Sequence, residues 1–354
     1  VAHSPVPAQP ASEQYRVVVR GKRLRAYLEF ILAVVFYFFA QSITLHAIVR
    51  ISPAWQPLAH QALLAISLIA AFAAFGMIVD QQRNAVAEQG LPLRAGWTRE
   101  VALGLAVGWG VTVVCVLPMA VFGGIAIVLN TGLSAWGWLL ADAAFFAFAA
   151  LAEEVAFRGY GFQRFETVVG PVGASIGFAA FYAILTSLQP GATRLAIGVS
   201  VVFSLMLSLA YVRTRALWLS WGLNFAWKAG RALLFGLTVS GVSGHSSVIE
   251  GDPMGPLWLT GGGYGLDASW LALVVLLIAL PVVYRLTRDL DFRYNVPVFI
   301  PGGIPVDIDA AARRQHEAAM ETVAAAPAPL VQIQPASEPI VSAPPSAPSS
   351  TDDR

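Results

Sequence analysis

Apolar runs of roughly twenty residues recur along this chain, and each is long enough to cross a bilayer as a helix. That limits the fold more than any other feature. The chain is 57% hydrophobic and 12% charged, with a mean hydropathy of +0.66. Soluble domains run nearer about 45–50% apolar and about 25% charged. An all-α, polytopic membrane protein with about eight transmembrane helices is therefore expected. The spans fall at residues 27–49, 58–79, 101–128, 135–168, 172–188, 195–212, 217–237 and 269–284.

Lys and Arg are unevenly placed between them. Arg16, Arg20, Lys22, Arg23 and Arg25 precede the first span, and Arg83, Arg94 and Arg99 follow the second. Arg213 and Arg215 follow the sixth, and Arg285, Arg288 and Arg293 the last, while the alternate connections hold few. By the positive-inside rule both termini are cytoplasmic, in a multi-pass protein of the plasma membrane. Residues 1–24 and 305–354 are rich in Pro, Ala or Ser and are expected to be disordered tails. The transmembrane domain takes residues 25–290. The single cysteine, Cys115, excludes an internal disulfide and reads as a buried, inert thiol. No basic face outside the spans suggests nucleic acid.

Against this background the run AFFAFAALAEEVAFRGY stands out, because it sets Glu153, Glu154 and Arg158 inside an apolar span. A charge at mid-bilayer costs roughly 2.5–3.5 kcal/mol on insertion scales, so such groups need partners and commonly mark a site. Glu154 and Arg158 are spaced i, i+4 and can pair within one helix. Asp142 sits three turns earlier on nearly the same face. The fourth span, at about 34 residues and roughly 50 Å as a helix, is longer than a bilayer requires. It is expected to break at Gly170-Pro171. Glu154 and Thr186 then lie equally far on either side of the break, which puts them at one depth in a helical hairpin. Asn224 and Lys228 are spaced i, i+4 in the seventh span and share a face with Ser220. Lys228 is a second intramembrane charge, and the carboxylates are its candidate partners. Gly104 with Gly108, and Ser200 with Ser204 and Ser208, form small-residue stripes that let helices approach closely.

E-E-V-A-F-R resembles the E-E-x-x-x-R motif of the CPBP intramembrane proteases, also called the CAAX protease or Abi family. The segments FRGYGFQRF, QPGAT, LAYVRTRALWLSWGLNFAWKAG and PLWLTGGGYGLDASW extend the likeness, to the bacterial branch, over about residues 96–285. The resemblance implies a multi-helix fold with its active site in the membrane. It also implies that a glutamate of the pair works with two histidines and an Asn or Asp to activate water or bind a metal. Carried over, the first motif falls on Glu153, Glu154 and Arg158. The second-motif histidine position is Thr186, and the third motif, H-x-x-x-N or H-x-x-x-D, falls on Asn224 and Lys228. Thr and Asn are poor zinc ligands and Lys228 is a fixed cation, so no metal or other cofactor is expected.

The family activity, endopeptidase cleavage of membrane or prenylated peptides, is therefore expected to be impaired or lost. Lys228 is expected to pair with Glu153 or Glu154. Two alternatives stay open: an active glutamate-dependent endopeptidase helped by Lys228, and an ion-coupled transporter. The implied partners are membrane lipid and a membrane or lipid-modified peptide. Oligomeric state is not legible.

Overall fold

The computed structural model describes residues 11–122, 125–129 and 133–290. Ten helices are numbered α1 (Ala11–Ala47), α2 (Gln56–Val79), α3 (Ala85–Glu88), α4 (Trp97–Val121), α5 (Leu133–Arg158), α6 (Tyr160–Ser187), α7 (Arg194–Thr214), α8 (Trp218–Ala229), α9 (Leu257–Thr260) and α10 (Trp270–Leu286). The protein is an all-α polytopic membrane protein. By length and composition, five helical runs among the described residues can cross a membrane, and α10 is a shorter apolar helix. One of the five, Trp136–Ser187, contains most of α5 and all of α6, so it folds back on itself rather than crossing once. Leu28, Leu32, Val35 and Phe39 of α1 are exposed, as suits a surface that faces hydrocarbon rather than water.

Two boundaries differ from the sequence reading. The first helix begins at Ala11, inside the segment expected to be a tail, because a helix once nucleated adds each further residue at far less cost than its first turn. The expected C-terminal tail lies outside the described residues. The third span stops at Val121 instead of running on to residue 128. The β-branched stretch Ile125–Leu129 pairs instead, antiparallel, with Ile249–Pro253.

The fourth span has two breaks rather than one. At Gly170 the backbone turns to φ 80°, ψ 170°, and Pro171 restarts the helix, as the Gly-Pro step predicts. An additional break falls at Gly159, with ψ −137°, immediately after Arg158. A Cβ there would run into the carbonyl of Val155, so only glycine lets the chain turn so close to its own helix. Glu153, Glu154 and Arg158 thus occupy the last turns of α5, not the middle of a long rod.

The partner helix α8 lies against α4 at backbone distance. A Cβ on Gly104 would meet the carbonyl of Leu219, and one on Gly222 would meet that of Val101. The small residues on both helices therefore set how deep α8 sits. Trp221 of α8 ties it to α5 by donating from Nε1 to the Ala147 carbonyl at 2.9 Å. After Ala229 the helix widens into a π-turn, Gly230–Leu234.

Candidate active site

Two helices bring the charged residues together. Asn224 donates from Nδ2 to Glu153 Oε2 at 3.0 Å and to Glu154 Oε1 at 2.9 Å. Both neighbours are acceptors, so the amide nitrogen faces them. Lys228, one turn further along α8, forms an ion pair with Glu153 Oε1. On α5 itself, Arg158 Nη1 donates to Glu154 Oε1 at 3.2 Å. Its Nη2 reaches α7, where it donates to the Ser204 carbonyl at 3.1 Å and to the Ser204 hydroxyl at 2.9 Å. The five charged and amide groups form one connected network spanning three helices.

Burial divides the network. Glu154, Arg158 and Asn224 are all at 0% exposure, whereas the Glu153 side chain keeps 29% and Lys228 keeps 12%. Glu153 and Lys228 form its edge. Beside them lies a small polar cavity with about 30 Å³ of room for the centres of water molecules. Its walls include Tyr182, Thr186, Lys228, Arg231, Tyr264 and Asp267.

Thr186 stands at the edge of the site. It lines this cavity, and its hydroxyl donates to the Tyr182 carbonyl of its own helix at 3.0 Å rather than to a carboxylate. Asp142 is not part of the network either. Its Oδ2 accepts from the backbone N–H of Ser246 at 2.7 Å, and its Oδ1 lies 3.6 Å from His245 Nδ1. Three helical turns preserve a face but displace a residue by roughly 16 Å along the axis, so a shared face did not mean a shared depth.

Three participants escaped the sequence reading. Ser204 had been noted as a packing residue, and it is also the acceptor that holds Arg158. Arg231 is fully buried in the π-turn, with Nη1 at 2.8 Å from Asp267 Oδ1. The signal for it was available, since it is a charged residue inside an expected span, as Lys228 is. Asp267 follows the GGGYG loop and gave no comparable signal. Tyr264 of that loop donates to Gln189 Oε1 at 2.6 Å. Burial, with Asp267 nearby, pushes its phenol up to about 12, so it remains a donor at neutral pH.

The residues present do not suit a catalytic zinc. Among the described residues no three His, Cys, Asp or Glu side chains converge. The carboxylates are accompanied by an ammonium, a guanidinium and an amide whose nitrogen is turned toward them, so the groups they meet are donors where a metal needs lone pairs. His46 bonds to its own helix at the Ser42 carbonyl, and His245 packs against Phe145 and Phe146.

Residues 133–230 match the family model described as type II CAAX prenyl endopeptidase, Rce1-like. The match runs from the start of α5 to the end of α8, so it contains both carboxylates, Arg158, Thr186, Asn224 and Lys228. Arg231 and Asp267 lie beyond it. No curated protein and no solved structure matches the chain.

Proposed function

We propose that this CAAX-protease-like intramembrane protein has lost the hydrolysis its family performs, and that it binds a membrane or lipid-modified peptide without cleaving it. The observation that carries this reading is the occupancy of the carboxylate oxygens. Glu153 Oε1 holds Lys228 and Glu153 Oε2 holds Asn224. Glu154 Oε1 takes both Asn224 and Arg158. The remaining oxygen, Glu154 Oε2, has no hydrogen-bond partner among the described residues, but its residue is wholly buried. A general base must come within hydrogen-bond reach of the water it activates. Here each exposed Glu153 oxygen already accepts a donor from α8, and the one oxygen without a partner, Glu154 Oε2, is buried.

Lys228 supplies positive charge beside the carboxylates where the family resemblance implies an amide or acid. Its ammonium pairs with Glu153 as the guanidinium of Arg158 pairs with Glu154, so each carboxylate has one cationic partner. We derive no metal-dependent step from these residues.

The test is a cleavage assay on purified full chain in detergent, with prenylated and transmembrane peptides analysed by mass spectrometry. The expected result is intact peptide, retained on the protein, for wild type, Glu153→Gln and Glu154→Gln alike. Turnover by wild type that disappears in Glu153→Gln would restore the active-enzyme reading. Failure to retain any of the peptides would remove the binding role.

A further inference from the structure

We infer that the cavity beside Lys228 is a binding site for a small oxyanion, a carboxylate or phosphoryl group, gripped chiefly by Arg231. The inference does not depend on whether the carboxylate pair hydrolyses peptides. It starts from a mismatch between donors and acceptors. Arg231 is at 0% exposure and lines the cavity. Its Nε is committed to the Trp227 carbonyl at 2.9 Å, and the guanidinium lies over the Trp227 ring at 4.1 Å, which fixes its plane. Nη1 approaches Asp267 Oδ1 at 2.8 Å, yet neither terminal nitrogen makes an aligned hydrogen bond among the described residues. Leaving buried charged donors unmatched is costly, more so than for neutral groups.

Asp267 cannot absorb the surplus alone. Its Oδ2 already accepts from the backbone N–H and the hydroxyl of Ser240, at 3.2 and 3.1 Å. Lys228 adds an ammonium with three donors, of which Glu153 engages one side. Glu153 meets the charge of Lys228 and Asp267 that of Arg231, so what the cavity wall has in excess is donors: the terminal nitrogens of Arg231 and the ammonium hydrogens that Glu153 does not take. Such a wall takes a ligand made of acceptors, and the planar guanidinium fork suits two oxygens on one centre. The room available, about 30 Å³ for water centres, admits the head of such a group and not a whole peptide. Gln189, Ala196 and Tyr264 also line it, so it lies where α6 ends and α7 begins. At a helix end of this kind the oxyanion can come from a lipid headgroup or from solution.

Full-length protein in detergent is titrated with inorganic phosphate at ionic strength held constant by chloride, while thermal unfolding is followed. In parallel, native mass spectrometry compares retention of phosphatidylglycerol with phosphatidylcholine. A saturable rise in Tm with phosphate, weakened at least tenfold in Arg231→Gln and in Ser200→Leu, supports a site open to soluble anions. Preferential retention of phosphatidylglycerol, lost in the same variants, assigns the headgroup as the source. Ser200 of α7 also lines the cavity, so Ser200→Leu fills it without changing charge and carries the test if Arg231→Gln does not fold. Arg285→Gln, exposed at the end of α10, is expected to behave as wild type. The site is overturned if neither phosphate nor phosphatidylglycerol binds above these controls, or if binding is unchanged in the folded variants.

Discussion

Two clusters in this molecule have the same formula, two carboxylates with two cations, and very different surroundings. In one, Glu153 and Glu154 meet Arg158 and Lys228 between α5 and α8. In the other, Glu29 and Asp80 meet Arg25 and Arg164 around an open recess of about 420 Å³. The inner cluster contains residues with no exposure at all, whereas the Arg25 side chain is 59% exposed. The inner one recruits an amide and a hydroxyl, from Asn224 and Ser204, to complete its hydrogen bonding. Charge pairing is common to both. What separates them is the cost of leaving any one group alone, and that cost makes the inner cluster specific.

The largest effect should come from breaking the inner cluster at Lys228. Lys228→Ala leaves Glu153 in place without its cation, and removing one partner of a buried pair typically costs about 3–5 kcal/mol. The exposure that Glu153 retains puts this case toward the lower end. The double variant Glu153→Gln/Lys228→Ala should lose less than the sum of its single variants, because the carboxylate no longer needs a partner. A thermal-unfolding cycle in detergent measures this. Additive losses would mean the two side chains are neighbours without being energetically coupled.

A second way to disturb the same cluster leaves every charge in place. Gly104→Leu puts a side chain where α4 touches the carbonyl of Leu219, forcing α8 outward with Asn224 and Lys228. Overpacking of this kind costs about 1–3 kcal/mol. Gly110→Leu, on the same helix but with open space where its Cβ would be, is the control and should be near neutral. Equal effects at the two glycines would show that helix formation, not the approach of α8, is being measured.

The positions of the charges were legible because they violate the composition around them. Glu153, Glu154, Arg158 and Lys228 each stand out in an apolar span, and spacing alone paired Glu154 with Arg158. Which carboxylate Lys228 meets was not legible, since adjacent residues on a helix differ by about 100° in direction and their environments depend on the neighbours. The structure assigns Glu153. Asn224 was found through its i, i+4 spacing from Lys228 and again through the resemblance, but its bridge between both carboxylates needed the depth of α8, which Gly104 and Gly222 set. The break at Gly159 was missed because a lone glycine in a helical pattern is usually tolerated, and only the collision with Val155 makes it a turn. Asp142 lies apart from the network because periodicity reports the face of a helix and says little about which side chains meet across it.

The smallest expected effect belongs to the outer cluster. Arg25→Ala removes the 2.7 Å bond to Glu29 and the 3.4 Å contact to Asp80, but Arg164 still reaches both carboxylates, at 3.5 and 3.2 Å. Exposed pairs contribute between about 0.2 and 1 kcal/mol, so the loss should fall in that range. It should also shrink as salt rises, because the Debye length is roughly 10 Å at 0.1 M and roughly 3 Å at 1 M. The loss in Lys228→Ala should barely change over the same range, since the low-dielectric surroundings of the inner network keep mobile ions out. Thermal unfolding of both variants at low and high salt reads the contrast directly. A salt dependence as steep at Lys228 as at Arg25 would mean that water and ions reach the inner carboxylates, and that the two clusters differ less than their burial implies.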